Sequence, residues 1–343
     1  MIFLLIAALA ALLYGARLRD AGDASTWLNK GTTTAINGFF ILFVFINHAN
    51  QYIEASGFQY LAWCDASYKW VAKYIGQLIV AMFLFNSGYG VMESIKARGI
   101  DYVRCLPRHR ILTVLANFDV AVLAFIVLNA VLDINMNLRQ IVLSFVCWDD
   151  VGNSNWYIFA ILACYAITYI AFRFIRQRWK GLLLAVLGVV AFAVVMSFFK
   201  GSYWYNTVFA YPAGMAVSIF KERVFKFASD NWWRVTASLA LMFFVGKFAV
   251  GHLPVRGLDH NCLTVVFVLL IAAICVRVDF GNEVSSWCGK NLFPLYIYQR
   301  IPMIALASLS MLDLSNGAIL FVLASFVLTL PIVFAYRYVR ISL

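Results

Sequence analysis

The chain has 343 residues, of which 64% are hydrophobic and only 13% charged, and its formal net charge is +11. A soluble domain carries charge on about a quarter of its residues, so this chain cannot cover its surface with polar groups and must use the bilayer as solvent. The basic excess is not a nucleic-acid footprint, because Lys and Arg collect beside the ends of apolar runs rather than on a continuous patch.

Apolar runs of crossing length, about 17 to 25 residues, recur from end to end. They lack the alternation of barrel strands, and in lipid each backbone amide must bond within its own segment, so they predict helices. In chain order the predicted spans are 1–14, 32–54, 71–91, 111–132, 155–172, 181–199, 204–220, 233–250, 258–276, 291–311 and 317–336. The first, MIFLLIAALAALLY, lacks a basic start and is followed by Arg17 and Arg19 instead of a small-residue cleavage site, so it reads as an extra helix and not a signal peptide. The segment 138–154, LRQIVLSFVCWDDVGNS, is too short to cross and turns acidic, which predicts an outer loop or a re-entrant dip. Placing the amino terminus outside puts 20 of the 27 Lys and Arg in cytoplasmic connectors, the longest of which holds Lys96, Arg98, Arg104, Arg108 and Arg110. There is no internal repeat, low-complexity tract or linker, so the expectation is an all-α polytopic membrane protein of eleven crossings in a single membrane domain, 1–343.

The seven cysteines form no CxxC pair and no Cys/His cluster with metal spacing, so no metal is expected. Most read as small packing residues, although Cys64 and Cys147 both flank outer loops and could bridge.

Chemistry concentrates in INGFFILFVFINHANQYIE, where His48 sits deep in an apolar helix. It lies about 24 Å along from Thr32, in the outer half of the membrane, where ionisable groups are rare and face the bundle interior. At about 100° per residue Asn37 and His48 fall within roughly 20° of one another, with Gln51 and Tyr52 flanking that line. A neutral histidine bonded across helices would merely fix packing. An imidazole poised near neutrality could instead act as general base toward a hydroxyl. Next comes FLFNSGYGVMESIKARGIDYVRCLPRHRI, whose cations serve topology or hold the phosphates of a soluble donor through bidentate guanidinium bonds. Rival readings are a secondary transporter, which should show paired broken helices in two halves, or a structural partner in an envelope assembly.

INGFFILFVFINHA resembles the first core helix of the acyltransferase-3 family of integral membrane acyltransferases, which ends in an apolar run and a histidine. FNSGYG with its Arg-rich loop, NSNWYIFAILACY and GKNLFPLYIYQRIPM resemble later family motifs in family order, over most of the chain from residue 31 onward. The resemblance implies a ten-helix bundle with both termini cytoplasmic, leaving 1–30 as an extra helix and connector before the acyltransferase-like core 31–343. It also implies an O-acetyltransferase of the bacterial cytoplasmic (inner) membrane that moves acetyl or another short acyl group from cytoplasmic acyl-CoA to a hydroxyl of a surface glycan or lipid-linked sugar. Acetyl-CoA would be a donor substrate, and no cofactor is bound permanently. Carried over, His48 is the catalytic base and Arg104, Arg108 and Arg110 face the CoA phosphates. Asn37, Asn86, Ser87, Tyr89, Asn155 and Trp156 support the reaction or hold the acceptor, and Asp149 and Asp150 orient His48 or bind sugar hydroxyls. Two positions depart from the family: Asn37 replaces a frequent Arg or Lys, and Gln299 stands near a frequent histidine.

Overall fold

The computed structural model describes residues 1–18, 20, 24–60, 65–250, 257–308 and 317–343, with the side chains of 72–75 and 249 not included. Arg19, Cys64 and the last residues of the predicted span 291–311 lie outside the described residues.

Helix α1 is Ile2–Leu13 and α2 is Lys30–Ala55. Asn29 starts α2 by accepting the Thr32 amide at 2.9 Å, so one orphan donor of the first turn is satisfied before the apolar run begins. Helix α3, Ala66–Leu106, is bent at Gly99, whose φ of 59° and ψ of −138° suit a residue without Cβ. A wide π-turn at Pro107–Leu112 then leads into α4, Thr113–Val131. After the short α5, Leu138–Ser144, come α6, Trp156–Phe174, and α7, Arg178–Phe199. The second half holds α8, Ala210–Ile219, α9, Lys221–Asp230, α10, Trp232–Ala249, and α11, Leu258–Ile274. It continues with α12, Glu283–Lys290, α13, Leu292–Tyr298, α14, Arg300–Ser308, and α15, Ala318–Val339. Two dipeptides, β1 at Arg17–Leu18 and β2 at Val278–Asp279, pair antiparallel.

Among the described residues, five helical stretches are long and apolar enough to cross a bilayer: Lys30–Ala55, Gly76–Val131, Trp156–Phe174, Arg178–Phe199 and Ala318–Val339. Helix α7 exposes Leu183, Leu187, Val194 and Phe198, side chains that only lipid would solvate favourably. The chain is an all-α, multi-pass membrane protein.

Three predicted spans take other forms. Residues 1–14 give a 12-residue helix, about 18 Å long, which is shorter than a hydrocarbon core of about 30 Å. Its Leu4 and Leu5 join a cluster with Phe45 of α2 and Phe321 of α15. Residues 204–220 form a turn followed by the ten-residue α8. The backbone freed there is answered by Asn261, which accepts from the Phe209 amide at 3.1 Å and donates to the Tyr205 carbonyl at 2.9 Å. The adjoining Asn206 donates to Gln77 of α3 at 2.7 Å. The span 291–311 is divided at Gln299, because Pro302 has no amide to offer the Tyr298 carbonyl one turn back. Residues 138–154 pair a seven-residue helix with a loop that turns inward, where Ser144 and Cys147 are fully buried.

Helices α2 and α3 form the centre, with α6 and α8 against α3 and α12 to α15 around α2. Two crossings bring backbones together. A Cβ on Gly38 of α2 would stand 2.5 Å from the Gly289 amide nitrogen of α12, and one on Gly289 would stand 2.7 Å from the Thr34 carbonyl carbon. Gly88 of α3 and Gly214 of α8 repeat the arrangement, each 2.9 Å from a carbonyl carbon of the facing helix. Small residues allow such approach where burial of apolar surface gives helices no preference for one another over lipid.

Candidate functional site

His48 projects from α2 into a cleft of about 360 Å³ whose walls come from α2, α3, the loop after α5, the start of α6 and the start of α14. The imidazole is 8% exposed, and its Nδ1 has no partner among the described residues. Gln51, one turn along α2, and Gln77 of α3 share the cleft with Asp150, Asn153, Asn155 and Arg300. Trp156 and Tyr203 supply aromatic wall, their rings set edge to face at 6.4 Å, and Tyr296 lies 6.2 Å from the imidazole.

Several buried polar atoms here are unsatisfied. Asn153 Nδ2 has no partner among the described residues, nor has Oε1 of Gln299, which is fully buried. Gln299 spends its amide on the Tyr296 carbonyl at 2.9 Å. A buried polar atom without a bond costs about 1–3 kcal/mol, so such a concentration marks a place shaped for something other than packing.

The predicted residues divide between several locations. Asp150 and Trp156 line the His48 cleft with Asn155, whose amide also braces the re-entrant loop by donating to the Cys147 and Asp149 carbonyls. Asp149 stands back from the lining and accepts the Asp150 amide. Asn37 lies about 16 Å along α2 from His48. There it accepts a bond from Asn86 of α3 at 2.7 Å. Ser87 meets the Tyr165 hydroxyl at 2.7 Å, and Tyr89 is buried near Lys221. The structure therefore does not bring Asn37, Asn86, Ser87 or Tyr89 to the His48 cleft: the shared face of α2 is real, but its two polar ends meet different neighbours.

A second cleft of about 370 Å³ lies some 21 residues further along α3 than Gln77, about 32 Å away at 1.5 Å per residue. Arg98, Asp101, Tyr102, Cys105, His109 and Arg110 line it. Arg98 stacks over the Tyr102 ring at 4.5 Å, and Arg110 Nε donates to the Tyr102 hydroxyl at 3.3 Å. Arg104 pairs with Asp101 at 3.6 Å without itself joining the lining, and Arg108 is exposed outside it. Of the three arginines singled out from the sequence, Arg110 alone faces this cleft.

Arg300, Gln77, Asn153, Tyr203 and Tyr102 were not singled out from the sequence, and Arg98 was read only as one of the connector's cations. Arg300 had a signal, a cation directly following an apolar helix segment, whereas Gln77 and Tyr203 become neighbours of His48 only through the tertiary fold. Lys200, just past α7, donates to the Trp148 carbonyl and lies over the Trp148 and Trp204 rings. Burial pulls its ammonium below the ordinary lysine range, opposed by Asp149 and Asp150 nearby.

These features define a multi-pass membrane protein with a histidine-bearing polar cleft toward one end of its bundle and an arginine-lined cleft toward the other. A family model described as an acyltransferase domain matches residues 34–338, and the chain belongs to that family, acyltransferase-3. Comparisons with curated proteins and with solved structures found no significant match. A membrane acyltransferase is accordingly the general class of activity.

Proposed function

We propose that this acyltransferase moves an acetyl or similarly short acyl group from cytoplasmic acyl-CoA to a hydroxyl of a cell-surface glycan or lipid-linked sugar, with His48 as general base. The observation that carries the reading is the His48 imidazole, with an unpartnered Nδ1, in a cleft floored by amides and walled by Trp156 and Tyr203. Flat aromatic faces beside amide and carboxylate groups suit a sugar ring, which offers apolar C–H faces and a rim of hydroxyls.

In this reading the core, 31–343, is one membrane domain crossing ten times, with α13 and α14 sharing one crossing and the turn before α8 completing another. The basic connectors lie in the cytoplasm, the carboxyl terminus included, in a bacterial inner membrane. The arginine-lined cleft then opens to the donor, where Arg98 and Arg110 meet phosphate and Tyr102 offers a face to the adenine. Arg104, paired with Asp101, and Arg108 lie outside that lining and add only to the surrounding potential.

His48 takes the proton from the acceptor hydroxyl as its oxygen attacks the thioester carbonyl. The C–O bond forms and the C–S bond breaks, and the imidazolium returns its proton to the departing CoA thiolate. Asn153 Nδ2, which lines the cleft without a partner among the described residues, is the candidate donor for the developing oxyanion. The test is acyl transfer by purified His48→Ala and His48→Gln proteins, measured by mass spectrometry of the surface glycan. A loss of about 10² to 10⁴ in rate is expected for a general base. Transfer at the native rate by both variants would end the proposal.

A further inference from the structure

Arg300 gives the His48 cleft a charge that the reaction as described does not use. The guanidinium is fastened to α2, its Nη2 donating to Gln51 Oε1 at 2.8 Å and its Nε to the Tyr52 hydroxyl at 3.4 Å. Both partners are one turn beyond His48, so the cation is held to the helix that carries the base. A guanidinium has five N–H donors in a rigid fork, and two are committed here. It forms no ion pair among the described residues.

Asp150 lines the same cleft but already has company. One of its oxygens accepts the Gly152 amide at 3.2 Å, and Lys200 lies within electrostatic reach of both Asp149 and Asp150. Asp150 is thus partly engaged by other groups, whereas Arg300 is bonded only to neutral partners. Arg300 is only partly buried, so its remaining N–H donors stay open to a group entering the cleft.

We infer that the acceptor carries a negatively charged group, a carboxylate or a phosphate, close to the hydroxyl that is acylated, and that Arg300 binds it. The inference rests on the reading of the His48 cleft as the acceptor site. Planar bidentate pairing suits Arg300 to a uronic-acid carboxylate or a sugar phosphate, and the distance from base to cation fixes which hydroxyl His48 can reach.

The experiment uses the whole purified protein with acetyl-CoA and three soluble probes: methyl β-glucuronide, glucose 6-phosphate and methyl β-glucoside. The native protein should acetylate a charged probe with a kcat/KM about tenfold or more above that for the neutral glucoside. Whichever charged probe leads separates carboxylate from phosphate. Arg300→Gln should bring the ratio to about one through the KM of the charged probes, and Arg300→Lys should restore part of it. Equal use of all three probes by the native protein would overturn the inference. So would an Arg300→Gln protein whose rates fall together with the ratio unchanged, the pattern of a structural role. If no probe is acetylated, equilibrium dialysis of the radiolabelled probes decides, and equal or absent binding of charged and neutral sugars counts against it. His48→Ala is run alongside: transfer that persists with its charge preference intact removes the base assignment and leaves Arg300 standing.

Discussion

Replacing Gly38 by Ala tests whether the backbone contact between α2 and α12 sets the position of His48. The new methyl would stand 2.5 Å from the Gly289 nitrogen and 2.7 Å from the Ser285 carbonyl carbon, where ordinary contact begins at 3.4 Å. The Ser285 carbonyl oxygen would be closer still, so the shortfall is at least 0.9 Å and is against main-chain atoms, which have no rotamer by which to escape, and the helices must separate. Overpacking of this kind costs about 1–3 kcal/mol, and the backbone origin of the clash places Gly38→Ala at the upper end, about 3 kcal/mol. His48 lies ten residues along the displaced helix, and a misplacement near 1 Å is enough to lower a rate about a hundredfold. The assay is the fraction of monodisperse protein surviving graded heating in detergent, followed by size-exclusion chromatography, with acyl transfer measured on the same samples. Gly90→Ala is the control, since nothing lies within 4 Å of its added methyl and the helix gains propensity. A Gly38→Ala protein that survives heating and turns over like the native one would refute the argument, as would an equal loss in Gly90→Ala.

Gly214→Ala, 2.9 Å from the Tyr89 amide nitrogen and from the Phe85 carbonyl carbon, should lower thermal survival by a comparable amount at the α3–α8 crossing, in the same heating assay. Asn37→Ala leaves Asn86 without its 2.7 Å partner inside the bundle and should cost about 1–3 kcal/mol of stability, whereas Asn37→Asp, which still accepts, should be milder; chemical denaturation in detergent separates the two. Cys105 is exposed on the arginine-lined cleft, so CoA should slow its maleimide labelling, with Cys105→Ser as the blank. Arg98→Ala and Arg110→Ala should weaken that protection and Arg104→Ala should not, and equal protection in all three would place the donor elsewhere. The Tyr60 phenol is raised to about 12, first by burial and then by Glu54, so the folded protein keeps its proton where an unfolded phenol with the ordinary value of 10.0 has lost it. Its stabilising effect is present below pH 10 and fades between about pH 10 and 12, so Tyr60→Phe should flatten alkaline unfolding in that window.

Sequence patterning carried the helical, membrane-embedded character of the chain, because hydropathy and backbone satisfaction leave lipid few alternatives. The ends of α2 and α6 fell within a few residues of expectation for the same reason. Periodicity does not report where a helix breaks when a side chain from another segment supplies the missing bonds. Asn261 does this for the turn before α8, more than fifty residues away in sequence. At the cleft, His48 was legible as an ionisable group in an apolar helix. Arg300 reaches it only because α14 packs against α2, and Tyr203 only because the turn after α7 folds back over α6. The arginine connector shows the limit of reading charge from composition. Its cations look alike in sequence, yet Arg98 and Arg110 line a cleft around the bend at Gly99 and the π-turn at Pro107, and Arg104 and Arg108 do not.

The bond from Asn206 to Gln77 has a mechanical side. Helices α10 and α11 pack mainly on one another, and α10 shows Leu241, Phe244 and Phe248 to the acyl chains. Asn261 of α11 grips the turn that holds Asn206, and Asn206 grips the wall of the His48 cleft. A tilt of these two helices within the bilayer would therefore pull, amide on amide, on Gln77 in the wall of the His48 cleft.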